Sequence, residues 1–290
     1  MIVAVGLVYV YQDRIIKQFI EQANTHLNTP IKVRKIDVSL FEHFPQLSIV
    51  MEEVYVEDSH PGEYPLLTAS KISFQLNPVD AWNGTYKIEG LRISESETSL
   101  KINEQGRSNY NILKETGTTP GESVSFALEE IFLEKTKVMY TDRTANQQMV
   151  FTSTTLTASI STSNDIYDIH ADGQLSTETL SIDGKSWASG KAFEIKSDLV
   201  YDDKAKYITI EPSTLKLKNS SFGVSGTYAW KEKNNIDLKL EGEDTDVQTI
   251  LSLFPESVYR RFEKYRSKGD VYFNGKLLTS ETLMALLELN

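Results

Sequence analysis

Apolar and polar residues alternate with a period of two over most of this chain, which predicts β-strands. The pattern starts after Pro30, where Ile31, Val33, Ile36, Val38 and Leu40 are set among Lys32, Arg34, Lys35, Asp37 and Ser39. Ile72-Ser73-Phe74-Gln75-Leu76 repeats it and stops at Asn77-Pro78. Tyr86 to Ile93 and Leu100 to Ile102 read as two strands of a meander. Beyond residue 123 the alternation resumes at Phe126/Leu128, Ile131/Leu133 and Val138/Tyr140 and recurs as far as Ile236/Leu238/Leu240. Strand signals this regular, with turn residues between them, predict a mainly β protein built on an elongated antiparallel sheet.

Helical spacing occurs in only a few places. Ile15, Ile16, Phe19, Ile20, Ala23 and Leu27 fall on one face of an amphipathic helix over 12–28, ended by Pro30. Asp80-Ala81-Trp82-Asn83-Gly84 reads as a short helical or tight turn. Asp244-Thr245-Asp246 can cap a helix carrying Val247, Ile250 and Leu251, so short helices are expected over 246–267. Thr282 to Leu289 reads as an apolar helical tail.

One strand phrase recurs: Met51-Glu52-Glu53-Val54-Tyr55-Val56-Glu57, then Ile88-Glu89-Gly90-Leu91-Arg92-Ile93-Ser94, then Leu128-Glu129-Glu130-Ile131-Phe132-Leu133-Glu134. The copies begin at 51, 88 and 128, so 37 and 40 residues apart, a spacing that repeated supersecondary units give. Stacked units of this kind build a long sheet with a surface or groove. Lys114 to Ser123, rich in Gly, Pro and Thr, is the expected linker. The expected divisions are therefore 1–11, 12–113, the linker 114–123, a second β region over 124–278, and the tail 279–290.

A formal charge of -11 argues against nucleic acid, which needs a basic face. The absence of cysteine excludes disulfides and thiolate chemistry. Residues 2–11 are uniformly apolar, about half the roughly 20 residues that a membrane-spanning helix needs. Two readings remain: a buried strand or helix start, or, as the expectation, the second half of a membrane anchor whose beginning lies upstream.

Catalytic motifs are not found in the sequence. Gly184-Lys185-Ser186-Trp187-Ala188-Ser189-Gly190-Lys191-Ala192 imitates a phosphate loop, but it has one residue too many between its glycines and Ala192 in place of Ser or Thr. A Gly-bounded hairpin turn fits it better. His26, His43, His60 and His170 are too dispersed for a metal centre. Glu241, Glu243, Asp244 and Asp246 lack calcium-loop spacing and read as a solvated turn. No catalytic residue, metal or cofactor is expected, and the chain reads as a non-enzyme.

The ordered phrases Asn28-Thr29-Pro30-Ile31-Lys32-Val33, Ile36 to Ile49, Met51 to Asp58, Ala69 to Phe74, Gly84 to Leu91 and Gly106-Arg107-Ser108-Asn109-Tyr110-Asn111-Ile112-Leu113 resemble the N-terminal region of the AsmA family, related to TamB. Leu251 to Pro255 and Ser267 to Gly275 look like it too. The resemblance implies a bacterial inner-membrane protein with a single anchor and its bulk in the periplasm. It implies a chorein-like N-terminal region and a sheet curled into an open, taco-like groove. The implied role is binding or moving phospholipid in outer-membrane biogenesis or homeostasis, with acyl chains as ligand. Members are usually longer, so this chain is expected to be short or partial.

Drawing an acyl chain through water costs about 0.8 kcal/mol per methylene, hence roughly 12 kcal/mol for sixteen carbons. Alternating strands lower that barrier by turning one phase of side chains to a groove. The groove candidates are Ile72, Phe74, Leu76, Leu91, Ile93, Leu100, Ile102, Ile131 and Leu133. The same alternation also describes a sheet packed on another layer. The competing function is a structural or interaction protein of the envelope that recruits a protein partner through exposed sheet edges.

Overall fold

The computed structural model describes residues 16–17, 20–21, 27–29, 31–40, 42, 44–60, 62, 65–83, 87–112, 126–163, 165–182, 184–202, 204–229, 235–245, 247–256, 259–260, 271–278 and 286–289. The apolar run 2–11 and the linker 114–123 lie outside these residues, as does most of the helix expected over 12–28, of which 16–17 and 20–21 are helical.

All named strands belong to one open sheet of fourteen. They are β1 (Ile31–Ser39), β2 (Leu47–Glu57), β3 (Pro65–Leu76), β4 (Ile88–Ile102), β5 (Phe126–Asp142), β6 (Gln147–Ser163) and β7 (Ile166–Ile182). They continue with β8 (Lys185–Ser186), β9 (Lys191–Asp202), β10 (Tyr207–Leu217), β11 (Ser220–Ala229), β12 (Asn235–Thr245), β13 (Val271–Leu278) and β14 (Leu286–Leu289). Their order in the sheet follows the sequence, except that β8 pairs beside β7. The chain forms two compact units. The first holds β1 to β4 and nearly all of β5, the second holds β7 to β14, and β6 is shared.

The sheet is mixed rather than wholly antiparallel, because β4 and β5 run parallel. A parallel pair needs a long crossover. The crossover starts by turning back along β4: Ser108 bridges to Ile102, and the Asn109 N–H donates to the Lys101 carbonyl at 2.9 Å.

Several expected short strands are single long ones. Tyr86–Ile93 and Leu100–Ile102 both fall in β4, which begins at Ile88, and in β7 one strand carries the alternation from Ile169/Ala171 through Leu180/Ile182. The break in alternation that suggested a turn in β4 is a kink. In β2, β4 and β5, Glu53, Glu95 and Lys135 have φ of 51°, 52° and 50°. One left-handed residue moves the next side chain to the same face as the one three before it. Met51 and Val54 therefore share a face, although a strict period of two would oppose them.

The kinks are aligned. The registers of β1 to β5 all skip one row, made of Arg34, Glu53, Ser70, Glu95 and Lys135. Charge complementarity runs along it. Arg34 meets Glu53 at 2.8 Å, the Ser70 hydroxyl donates to Glu95 at 3.1 Å, and Lys135 meets Glu95 at 3.1 Å. The second and third copies of the strand phrase lie side by side in register, Leu91 opposite Ile131 and Ile93 opposite Leu133. The first copy runs through the kink row instead of stopping at it. On the opposite face the Arg92 guanidinium lies 4.0 Å from the centre of the Phe132 ring.

Smaller features follow local chemistry. Asn77 caps the helix Pro78–Trp82, accepting from the Val79 N–H at 2.9 Å and the Asp80 N–H at 3.3 Å. The phosphate-loop imitation is a turn: Lys185 and Ser186 pair with Ile182 and Ser181, and Gly184 and Gly190 have positive φ. A helix follows β12 at Val247–Leu251. The expected helical tail is corrected at Leu286–Leu289, which pairs with β13 as a strand, because a neighbouring strand offers backbone partners that an isolated short helix lacks.

Candidate functional site

Register sorts the first unit into two faces. On one, Ile36, Met51, Ile72, Ile93 and Leu133 form a row across five strands. Val38, Ile49, Phe74, Leu91 and Ile131 form the next, and Leu47, Leu76 and Ile88 the one after. The opposite face carries the charged kink row and its neighbours.

All nine groove candidates fall on the apolar face. Seven gather on one side of the kink row: Ile72, Phe74, Leu76, Leu91, Ile93, Ile131 and Leu133. Leu100 and Ile102 lie beyond it on β4, separated from the others by Ser96 and Thr98. The alternation alone marked Ile36 and Val38 but did not connect them to these rows. Leu47, Ile49 and Met51 of β2 carry the same signal and were missed.

Exposure divides the face. Ile72, Leu76 and Ile131 are sealed, at 6, 0 and 7% exposure. Phe74, Leu91, Ile93, Leu100, Ile102 and Leu133 are half-buried. Ile72 and Leu76 belong to a cluster with Leu47, Ile49, Met51, Val54 and Val56. Ala81 of the short helix is buried in that cluster, and Ile20 and Ile112 pack against it. The open part therefore centres on β4 and β5.

Beside this face a buried polar latch fixes the start of the crossover. Asn109 is fully buried and Asp58 nearly so. The Asn109 side-chain amide donates to Asp58 at 3.1 Å and to the Ser99 carbonyl at 2.9 Å, and its oxygen accepts from the Lys101 N–H at 2.7 Å. The Asp58 carboxylate also accepts from the His60 N–H at 3.1 Å. This latch gives a structural reason for Asn109 in the phrase Gly106 to Leu113.

At the far end of the face, burial works to raise the pKa of Asp142, but bonds from Thr144, the Ala145 N–H and Tyr140 outweigh it and hold the carboxyl below its ordinary range. Between Ile72 and Leu133 the described residues of the apolar face include no titratable group. Among the described residues no cluster of three or more His, Asp or Glu could hold a metal ion, and no helix is long and apolar enough to cross a membrane.

The second unit repeats the two-faced design. Ile169, Leu199 and Ile210 form one apolar row, and Ile195, Leu215 and Phe222 form another. Asp168, His170, Asp172, Glu194, Lys196 and Asp198 stand on the opposite face. There His170 Nδ1 and an Asp198 carboxylate oxygen are 2.7 Å apart. Phe193, Leu217 and Phe222 are buried under Leu253 and Phe254, which follow the helix Val247–Leu251. The Ala188 N–H donates to the Leu253 carbonyl at 2.9 Å, tying that cover to the β8–β9 turn.

Comparison with protein-family models, curated proteins and solved structures finds no match for this chain.

Proposed function

We propose that this chain is a non-enzymatic envelope protein of the AsmA type that holds phospholipid acyl chains against the apolar face of β4 and β5. One observation carries the reading. Leu91, Ile93, Leu100 and Leu133 keep part of their surface open on a face with no charge among them, and the carboxylate of Asp142 lies at the far end of that face, opposite Ile102. Leaving such side chains open costs stability, roughly 25 cal/mol for each Å² of apolar surface. A ligand that covers them recovers it. Acyl chains suit a lane of this kind because they need contact and no hydrogen bonds. The proposed location is the periplasm, with the apolar run 2–11 joining the inner membrane.

The test is to purify the full chain from cells, extract it with organic solvent and measure phospholipid. The wild type is expected to carry lipid, and Leu133→Arg to lose at least tenfold of it at unchanged circular dichroism. A lipid-free wild type overturns the proposal. Crosslinking that captures one protein along a sheet edge, with no lipid, supports the interaction-protein reading in its place.

A further inference from the structure

The last row of side chains at one end of the second unit breaks its two-faced rule. The penultimate row, on the apolar face, runs Tyr167, Tyr201, Ile208 and Tyr228. Tyr167 and Tyr201 stack with ring centres 5.7 Å apart. The last row faces the polar side, yet it presents Ile166 and Tyr207 with Asp202 between them. Ile166 is 40% and Tyr207 36% exposed, and these are the exposed large apolar side chains of this unit among the described residues. One row further in, the same side carries Asp168 and Thr209 with Val200 between them.

We infer that this end of the sheet docks into the headgroup region of a lipid bilayer. Side chains that are apolar on both faces of a single sheet need an apolar medium on both sides. A bilayer interface supplies that, whereas a protein partner would have to wrap around the end. The depth agrees: two rows at about 3.3 Å each span about 7 Å, inside the roughly 5–10 Å to which interfacial elements sink. Tyrosine is the residue that bilayer interfaces favour, its ring in the hydrocarbon boundary and its hydroxyl in water. Lys204 pairs with Asp165 at 2.7 Å, and Asp202 accepts from the Ala205 N–H at 2.8 Å. This inference goes beyond the acyl-chain reading and does not rest on it.

The chain has no cysteine, so Ala205→Cys at the tip and Lys216→Cys near the far end of β10 each create one labelling site. The probe is a vesicle of phosphatidylcholine with bromine on its acyl chains near the headgroup. In the full chain, a fluorophore at position 205 is expected to be quenched at least twofold and one at 216 not at all. Adding Ile166→Ser and Tyr207→Ser to the Ala205→Cys chain is expected to abolish the quenching. A chain that floats with vesicles but leaves the label at 205 unquenched is held by another segment, and that result overturns the inference. So does equal quenching at both sites. Neither outcome bears on lipid carried by the first unit, which solvent extraction reads separately.

Discussion

Glu95 and Lys135 sit side by side on parallel strands, carboxylate to ammonium 3.1 Å, and both hold left-handed backbone. They are 40 residues apart, the spacing of the second and third phrase copies, so repeat, kink and ion pair coincide. The Lys135 hydrogen bond, with help from Ser70, lowers the Glu95 pKa, and Glu95 raises that of Lys135. A lowered carboxyl pKa contributes stability above its ordinary 4.5 and loses it as pH falls through the folded value. A raised lysine pKa contributes below 10.5 and loses it as pH rises through the folded value. Urea midpoints of wild type and Glu95→Gln should therefore differ most between these limits and converge in acid. Both groups are solvent-exposed, so the difference is expected to be small and to shrink further in high salt.

The kink conformation itself is open to test at Glu53. A β-branched residue at φ near 51° meets a steric penalty that glycine avoids. Glu53→Val is expected to be about 1–2 kcal/mol less stable than Glu53→Gly by urea unfolding. Equal stability of the two would mean that the row is not held in left-handed backbone.

Leu76 has no exposed surface and Val79, three residues on, is 66% exposed. Leu76→Ala should cost about 2–5 kcal/mol through lost burial and the cavity left behind. Val79→Ala should change stability by less than about 0.5 kcal/mol. Chemical denaturation of the two variants checks the contrast.

Removing the Asn109 side chain deletes three hydrogen bonds and leaves the Asp58 carboxylate buried with one fewer donor. Asn109→Ala is expected to cost about 2–3 kcal/mol. Hydrogen exchange should show the loss of protection spreading first to the Lys101 and Ser59 amides, whose partners are the Asn109 side chain and its carbonyl.

Gly226 tests the second unit. It has φ of 137°, and a Cβ there would stand 2.1 Å from the Asp237 carbonyl oxygen. Gly226→Ala should cost more than about 2 kcal/mol, since backbone must move. At Gly223 the nearest atom is 3.7 Å away, so Gly223→Ala should be tolerated within about 1 kcal/mol. Thermal melts of the pair decide.

Alternation and glycine placement by themselves determined that the chain is mainly β, that Ile72, Phe74 and Leu76 share a face, and that Gly184 to Ala192 makes a turn. These properties are local, fixed by the two-residue period of a strand and by the backbone freedom of glycine. Only the tertiary structure decided that β4 and β5 are parallel, since strand direction depends on where the crossover leads. It also fused Tyr86–Ile93 and Leu100–Ile102 into one strand, because a polar pair such as Ser94-Glu95 reads equally as a turn or as a kink until the neighbouring strand supplies a partner. Tertiary packing sealed Leu76 and left Leu133 half-open as well, although both alternate alike. Burial is set by what a distant segment lays over a side chain, here Ala81, Ile20 and Ile112, and no strand carries that information within itself.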